Sequence, residues 1–207
     1  LTGVTAFSAG LAFVAQYVVE LTGAQLGIFF GLFSLGTVLS LPAWVWHARR
    51  VGKKPAYLLA VVLFVVFDLA LLAIGNGDVG GLLAIGFLIG LSSGGLILLG
   101  VSMLPDTIDY DHHLTGQRRE GIYAGVWSTI EKGSAAVATL LAGAILSSAG
   151  YLETRAGDVA CQPQSALAAV QINVALLPAA VMLLSLLLLV RYDLTRERLE
   201  ALVAARR

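Results

Sequence analysis

The chain has 207 residues, of which 13% are charged and 58% hydrophobic, with a mean hydropathy of +0.87; a soluble domain has about a quarter of its residues charged. A surface this apolar excludes an ordinary soluble enzyme or binding module, and lipid becomes the solvent for most of the chain. A net charge of zero gives no overall pull toward nucleic acid, and one cysteine, Cys161, makes no internal disulfide and fits no paired-cysteine metal or redox pattern.

A bilayer core of about 30 Å takes about 20 apolar residues in a helix, because no backbone polar group can stay unpaired in hydrocarbon. Six stretches meet that requirement: 1–19, 24–46, 55–74, 79–104, 121–149 and 166–190. The expected fold is all-α, a polytopic membrane bundle of six transmembrane helices over residues 1–191 with a tail at 192–207. The first span opens without an initiator Met or a basic leader, which reads as following a missing N-terminal portion. It carries Gln16 as a polar residue at depth.

The second span runs into the basic connector HARRVGKK, and the third carries Asp68 among Phe64, Val65, Leu71 and Leu72. The fourth repeats Gly86, Gly90 and Gly94 every four residues, a spacing that lets helix backbones approach closely in a membrane. It is followed by the chain's densest polar stretch, MLPDTIDYDHHLTGQRREG. The fifth span repeats Gly121, Gly125, Thr129 and Gly133 and carries Glu131 and Lys132. The sixth has Gln171, Asn173 and Pro178, the proline read as a tolerated kink.

With six spans, alternate connectors lie on opposite sides. Residues 47–54, 105–120 and 191–207 then share eleven Lys and Arg, against Arg155 alone on the other side. By the positive-inside rule those two connectors and the C-terminus are expected in the cytoplasm of a multi-pass cell-membrane protein, with Cys161 outside.

Ionisable groups at membrane depth cost several kcal/mol and mark functional candidates. Lys132 lies about 17 Å from the inner end of its span at 1.5 Å per residue, nearest the midplane, and shares a small-residue face with Gly125, Ser128 and Ala136. That face is expected to meet another helix or a cavity. Glu131 is turned about 100° away, which disfavours a simple pair with Lys132. Asp68 reads as a structural or snorkelling acid, and Gln16, Trp127, Gln171 and Asn173 read first as interhelical hydrogen-bond partners.

The ordered set Pro-Asp-x-x-Asp-Tyr, T-G-x-R-x-E-G, E-K-G and Gly150-Tyr151, with the basic WHARRVGKKPAY connector and the YDLTRERLEAL tail, resembles the melibiose permease-like glycoside, pentoside and hexuronide (GPH) cation symporters of the major facilitator superfamily. The resemblance covers nearly the whole chain as the C-terminal half, helices 7–12, of a twelve-helix transporter. It implies symport of a sugar-like solute with a monovalent cation, Na⁺ or H⁺, an N-terminal half as partner, and no other cofactor. By the same resemblance Lys132 matches a lysine beside the cation-site acids of the other half, and Ser128 a hydroxyl residue beside the sugar, with Gly125 and Trp127 as neighbouring solute-site candidates. Asp106, Asp109, Tyr110, Arg118 and Glu120 match the charged cytoplasmic gate that holds the halves together.

Other readings are a lipid or organic-solute transporter of the same superfamily, a non-transporting membrane scaffold, and a membrane metalloenzyme built on Asp109, Asp111, His112 and His113. The last lacks HExxH, GxSxG, Walker and zinc spacings. Asp111, His112 and His113 are expected as solvated loop side chains, with no metal and no catalysis.

Overall fold

A computed structural model describes residues 14, 19, 21–75, 77–150 and 163–190, those at 164–167 and 188–190 by backbone alone. Five α-helices follow in order: α1 (Gly23–Val51), α2 (Lys53–Ala70), α3 (Val79–Thr115), α4 (Glu120–Ser148) and α5 (Gln164–Val190). All five are long and apolar enough to cross a membrane, as the all-α expectation requires. The first expected span, 1–19, lies outside the described residues except for Val14 and Val19, and Gln16, Cys161 and the tail lie outside them as well.

Local chemistry fixes the helix ends. Thr22 and Gln25 form a reciprocal capping box at the start of α1, satisfying amides that the first helical turn leaves open. Asp78 caps α3 by accepting from the Gly81 amide at 2.9 Å. The far ends lie beyond where hydropathy stops. α1 continues through HARR and turns at Gly52, φ 94°, so the expected connector at 47–54 shrinks to one residue. α3 continues eleven residues past the end expected at 104, with Pro105 inside it, and stops at Gly116, φ 73°. Falling hydropathy marks where a helix leaves lipid; the helix itself ends where a glycine takes the left-handed conformation.

α3 is the central element, packed against α1 on one side and α2 on another, while α2 also packs against α5. The glycine repeat supplies the α1 contact. A Cβ at Gly90 would land on the Phe33 carbonyl, and one at Gly36 would lie 2.6 Å from the Phe87 carbonyl. The two backbones are in reciprocal close contact that only hydrogen side chains permit. Trp44 of α1 locks the same seam, its Nε1 donating to the Leu91 carbonyl of α3 at 2.8 Å. Trp44→Phe is expected to keep the fold and lose about 0.5–1.5 kcal/mol, one net hydrogen bond, read as a lowered melting temperature in detergent. On α2 the buried face is Ala56, Ala60, Val61, Phe64, Val65 and Asp68, one continuous helical stripe. α4 stands apart: it packs mainly along α5, and Ala138 is its one fully buried residue among those described.

Candidate functional site: the open face of α4

Lys132 and Glu131 sit near the middle of α4, about 18 Å from its start for Lys132 at 1.5 Å per residue. Both are exposed, as are Gly125 and Ser128, while Trp127 is half-buried. A Cβ added at Gly121, Gly125 or Gly133 would meet nothing within 4 Å. The glycine spacing that closes α3 onto α1 therefore opens onto empty space on α4, among the described residues. Lys132 has no ion-pair partner among them either.

The helical wheel divides the uncovered surface in two. Half-buried Tyr123, Trp127 and Ser134, with buried Ala138, mark the side turned to the bundle. Gly121, Gly125, Ser128, Lys132 and Ala136 occupy one flank, small and polar. Val126, Ile130 and Val137 lie on the other flank, adjoining the Tyr123 side; they are large and apolar, and Ile130 is 64% exposed. Ser128 and Ile130 project about 160° apart. One flank suits a polar cavity or closely packed helix, and the other suits acyl chains.

At the end of the bundle where α3 leaves the apolar region, Asp106 is already engaged. Its Oδ2 accepts from Lys53 Nζ at 2.6 Å, and the same ammonium donates to the Ser102 carbonyl at 2.9 Å. Lys53 is the residue that sequence reasoning missed: it lies across the α2–α3 hairpin, and only the closure of that hairpin brings the two together. Both side chains are more than a third or about a third exposed, at 41% and 33%, so the pair is worth about 1 kcal/mol or less. Lys53→Ala is accordingly expected to shift the melting temperature little. Asp109 is exposed and Tyr110 half-buried on the same helix. Arg118 and Glu120 form an exposed ion pair with each other at 3.5 Å in the turn between α3 and α4. These gate candidates thus gather at one end of the hairpin and the following turn.

The solvated loop expected for Asp111, His112 and His113 is corrected: all three are half-buried in the last turns of α3. One carboxylate oxygen of Asp111 and Nδ1 of His112 are shielded without a hydrogen-bond partner among the described residues. No three His, Cys, Asp or Glu gather as a metal site among the described residues.

Two intramembrane candidates belong to the packing between helices. Asn173 of α5 donates to the Ala142 carbonyl of α4 at 3.3 Å, and Gln171 donates to the Ile74 carbonyl at 3.5 Å. Asp68 does not snorkel. It is 0% exposed, and neither carboxylate oxygen has a hydrogen-bond partner among the described residues.

A family profile described as MFS/sugar transport protein matches residues 1–196. Among curated proteins, the chain is 32% identical over 164 residues to an uncharacterized symporter of Synechocystis sp., covering 78% of this chain and 30% of that protein. It is 29% identical over 173 residues to a sodium-dependent lysophosphatidylcholine symporter of Danio rerio, covering 80% and 31% respectively. It is 25% identical over 210 residues to a glucuronide carrier protein homolog of Escherichia coli, covering 96% and 42%. The chain therefore spans between 30% and 42% of the length of these relatives.

Proposed function

Because the chain belongs to the MFS/sugar transport protein family, we propose that it forms one helical half of a secondary transporter. That transporter moves a sugar or glycoside together with Na⁺ or H⁺ by alternating access, and this chain carries no catalysis of its own. The chain is a multi-pass membrane protein with five membrane-length helices described. The observation that carries the reading is the open flank of α4. An ammonium at membrane depth, flanked by Gly125 and Ser128 and left uncovered by the described residues of its own bundle, is costly unless a cavity or a partner receives it.

A second half of the transporter covers that flank. Its acids hold the coupling cation near Lys132, which responds to whether the cation is present, and the solute lies against Gly125, Trp127 and Ser128. At the rim, Asp109, Tyr110, Arg118 and Glu120 engage the other half when the cytoplasmic side closes, and Asp106 exchanges Lys53 for a partner there. Such contacts, made in one state and broken in the other, are what shifts a two-state equilibrium. The basic rim and tail face the cytoplasm of the cell membrane by the positive-inside rule.

A second reading has an observation of its own. The similarity to a sodium-dependent lysophosphatidylcholine symporter favours an amphiphilic solute whose chain lies along the apolar flank of α4. Proteoliposomes of the complete protein, given a Na⁺ or H⁺ gradient and either labelled glycosides or lysophospholipids, test both. Gradient-dependent uptake of a glycoside supports the first reading, uptake of the lysophospholipid alone the second, and no gradient-dependent uptake of either contradicts both.

A further inference from the structure

Asp68 has no part in the proposed transport site, yet it is the least explained residue of the bundle. It continues the buried stripe of α2 one turn beyond Phe64 and two turns beyond Val61, so its carboxyl is aimed into the core. It is 0% exposed, and both of its oxygens lack a hydrogen-bond donor among the described residues. Buried polar groups in native proteins are nearly always satisfied, and an orphan of this kind calls for a bound species or a change of charge.

The surroundings specify which. A Cβ at Gly95 would meet Ala60, and one at Gly100 would meet Tyr57. That antiparallel register carries Asp68 level with Phe87 to Ile89 of α3, where Ile89 is fully buried. On α5, Gln171 lies against Ile74, so the residues level with Asp68 fall near buried Val174, Ala175 and Pro178. None of these offers a cation or a donor. The sequence has no Asp, Glu, Lys, Arg or His at 24–46, 79–104 or 164–190, nor at 1–19. The nearest charges on the packed elements are Asp78, which caps α3, and the Lys53–Asp106 pair at the opposite end of the hairpin.

A metal cation would need several oxygen ligands. Among the described residues of α3, the hydroxyls of Ser92 and Ser93 stand about a turn further along and are already engaged, donating to the Ile89 carbonyl at 2.9 and 2.8 Å. A proton needs one oxygen and no ligand shell. We infer that Asp68 is a proton-binding site in the core of this half, occupied as the neutral acid while α2, α3 and α5 stay packed around it. The site is separate from Lys132 and does not depend on the transport reading. Binding transfers one proton from water to a carboxylate oxygen, and opening of the packing returns it.

Linkage gives the sign. A proton held by the folded protein and not by the unfolded one makes stability fall as pH rises, by up to tenfold per pH unit in the unfolding equilibrium. The test uses the purified complete protein, whether or not uptake is detected. Melting temperature is followed as pH rises through neutrality in the wild type and in Asp68→Asn, which mimics the neutral acid. The expected result is a decline in the wild type that is shallower in the variant by the equivalent of one proton; parallel curves overturn the proposal. Infrared spectra at neutral pH decide the matter if Asp68→Asn does not fold. A protonated carboxyl band that Asp68→Glu shifts supports the site, and a spectrum with no such band to shift overturns it.

Discussion

Gradient-driven uptake by the complete transporter is expected to fall by about 5- to 150-fold when Lys132 is replaced by alanine, the range set by coupling free energies of about 1–3 kcal/mol. The cause is specific. Lys132 stands exposed on the small and polar flank of α4 and contributes nothing to the packing of the described bundle, so its removal costs little folding stability. What is lost is the response of the open flank to a cation held beyond it. Exchange of solute across vesicles without an ion gradient should survive better than gradient-driven uptake, because exchange needs the solute site but not the coupling. Undiminished gradient-driven uptake in Lys132→Ala would remove the residue from the mechanism.

The second large effect separates two glycine repeats that look alike. Gly90→Val places a side chain on the Phe33 backbone, and backbone cannot rotate aside as a side chain can. Overpacking of this kind costs about 3 kcal/mol or more, a large share of a stability of about 5–15 kcal/mol, and little folded protein is expected. Gly125→Val meets nothing within 4 Å and should give folded protein of nearly unchanged melting temperature, yet impaired uptake, since the added methyl groups would intrude on the proposed solute side of α4. Size-exclusion profiles and melting curves of the two variants check this. Equal stability losses in both would mean that the α4 repeat is packing, as on α3.

These two repeats also show how far a sequence carries. Four-residue glycine spacing announces that a helix is prepared for close approach, and it does so equally in α3 and α4. It does not say whether the approaching surface belongs to the same bundle. Similarly, the runs 24–46, 55–74, 79–104, 121–149 and 166–190 overlap α1 to α5, because burial in lipid demands long apolar stretches. Their ends were displaced at Val51 and Thr115, since lipid exit and helix termination obey different chemistry. The pairing of Lys53 with Asp106 spans 53 positions and required the hairpin to be closed. The burial of Asp68 was within reach: its spacing from Ala60, Val61 and Phe64 places it on one stripe with them. The cost of a buried carboxylate argued for the opposite assignment, and the packing of α3 and α5 over that stripe decided it.

The central claim is that the small and polar flank of α4 borders a water-accessible transport path while its apolar flank does not. Cysteines placed singly at Ser128 and Ile130, in the complete protein with its other cysteines replaced, Cys161 included, test it directly. A membrane-impermeant, water-soluble maleimide applied to vesicles of known orientation should label Ser128→Cys, with solute slowing the reaction, and leave Ile130→Cys unlabelled. Labelling of Ile130→Cys with Ser128→Cys protected would contradict the account.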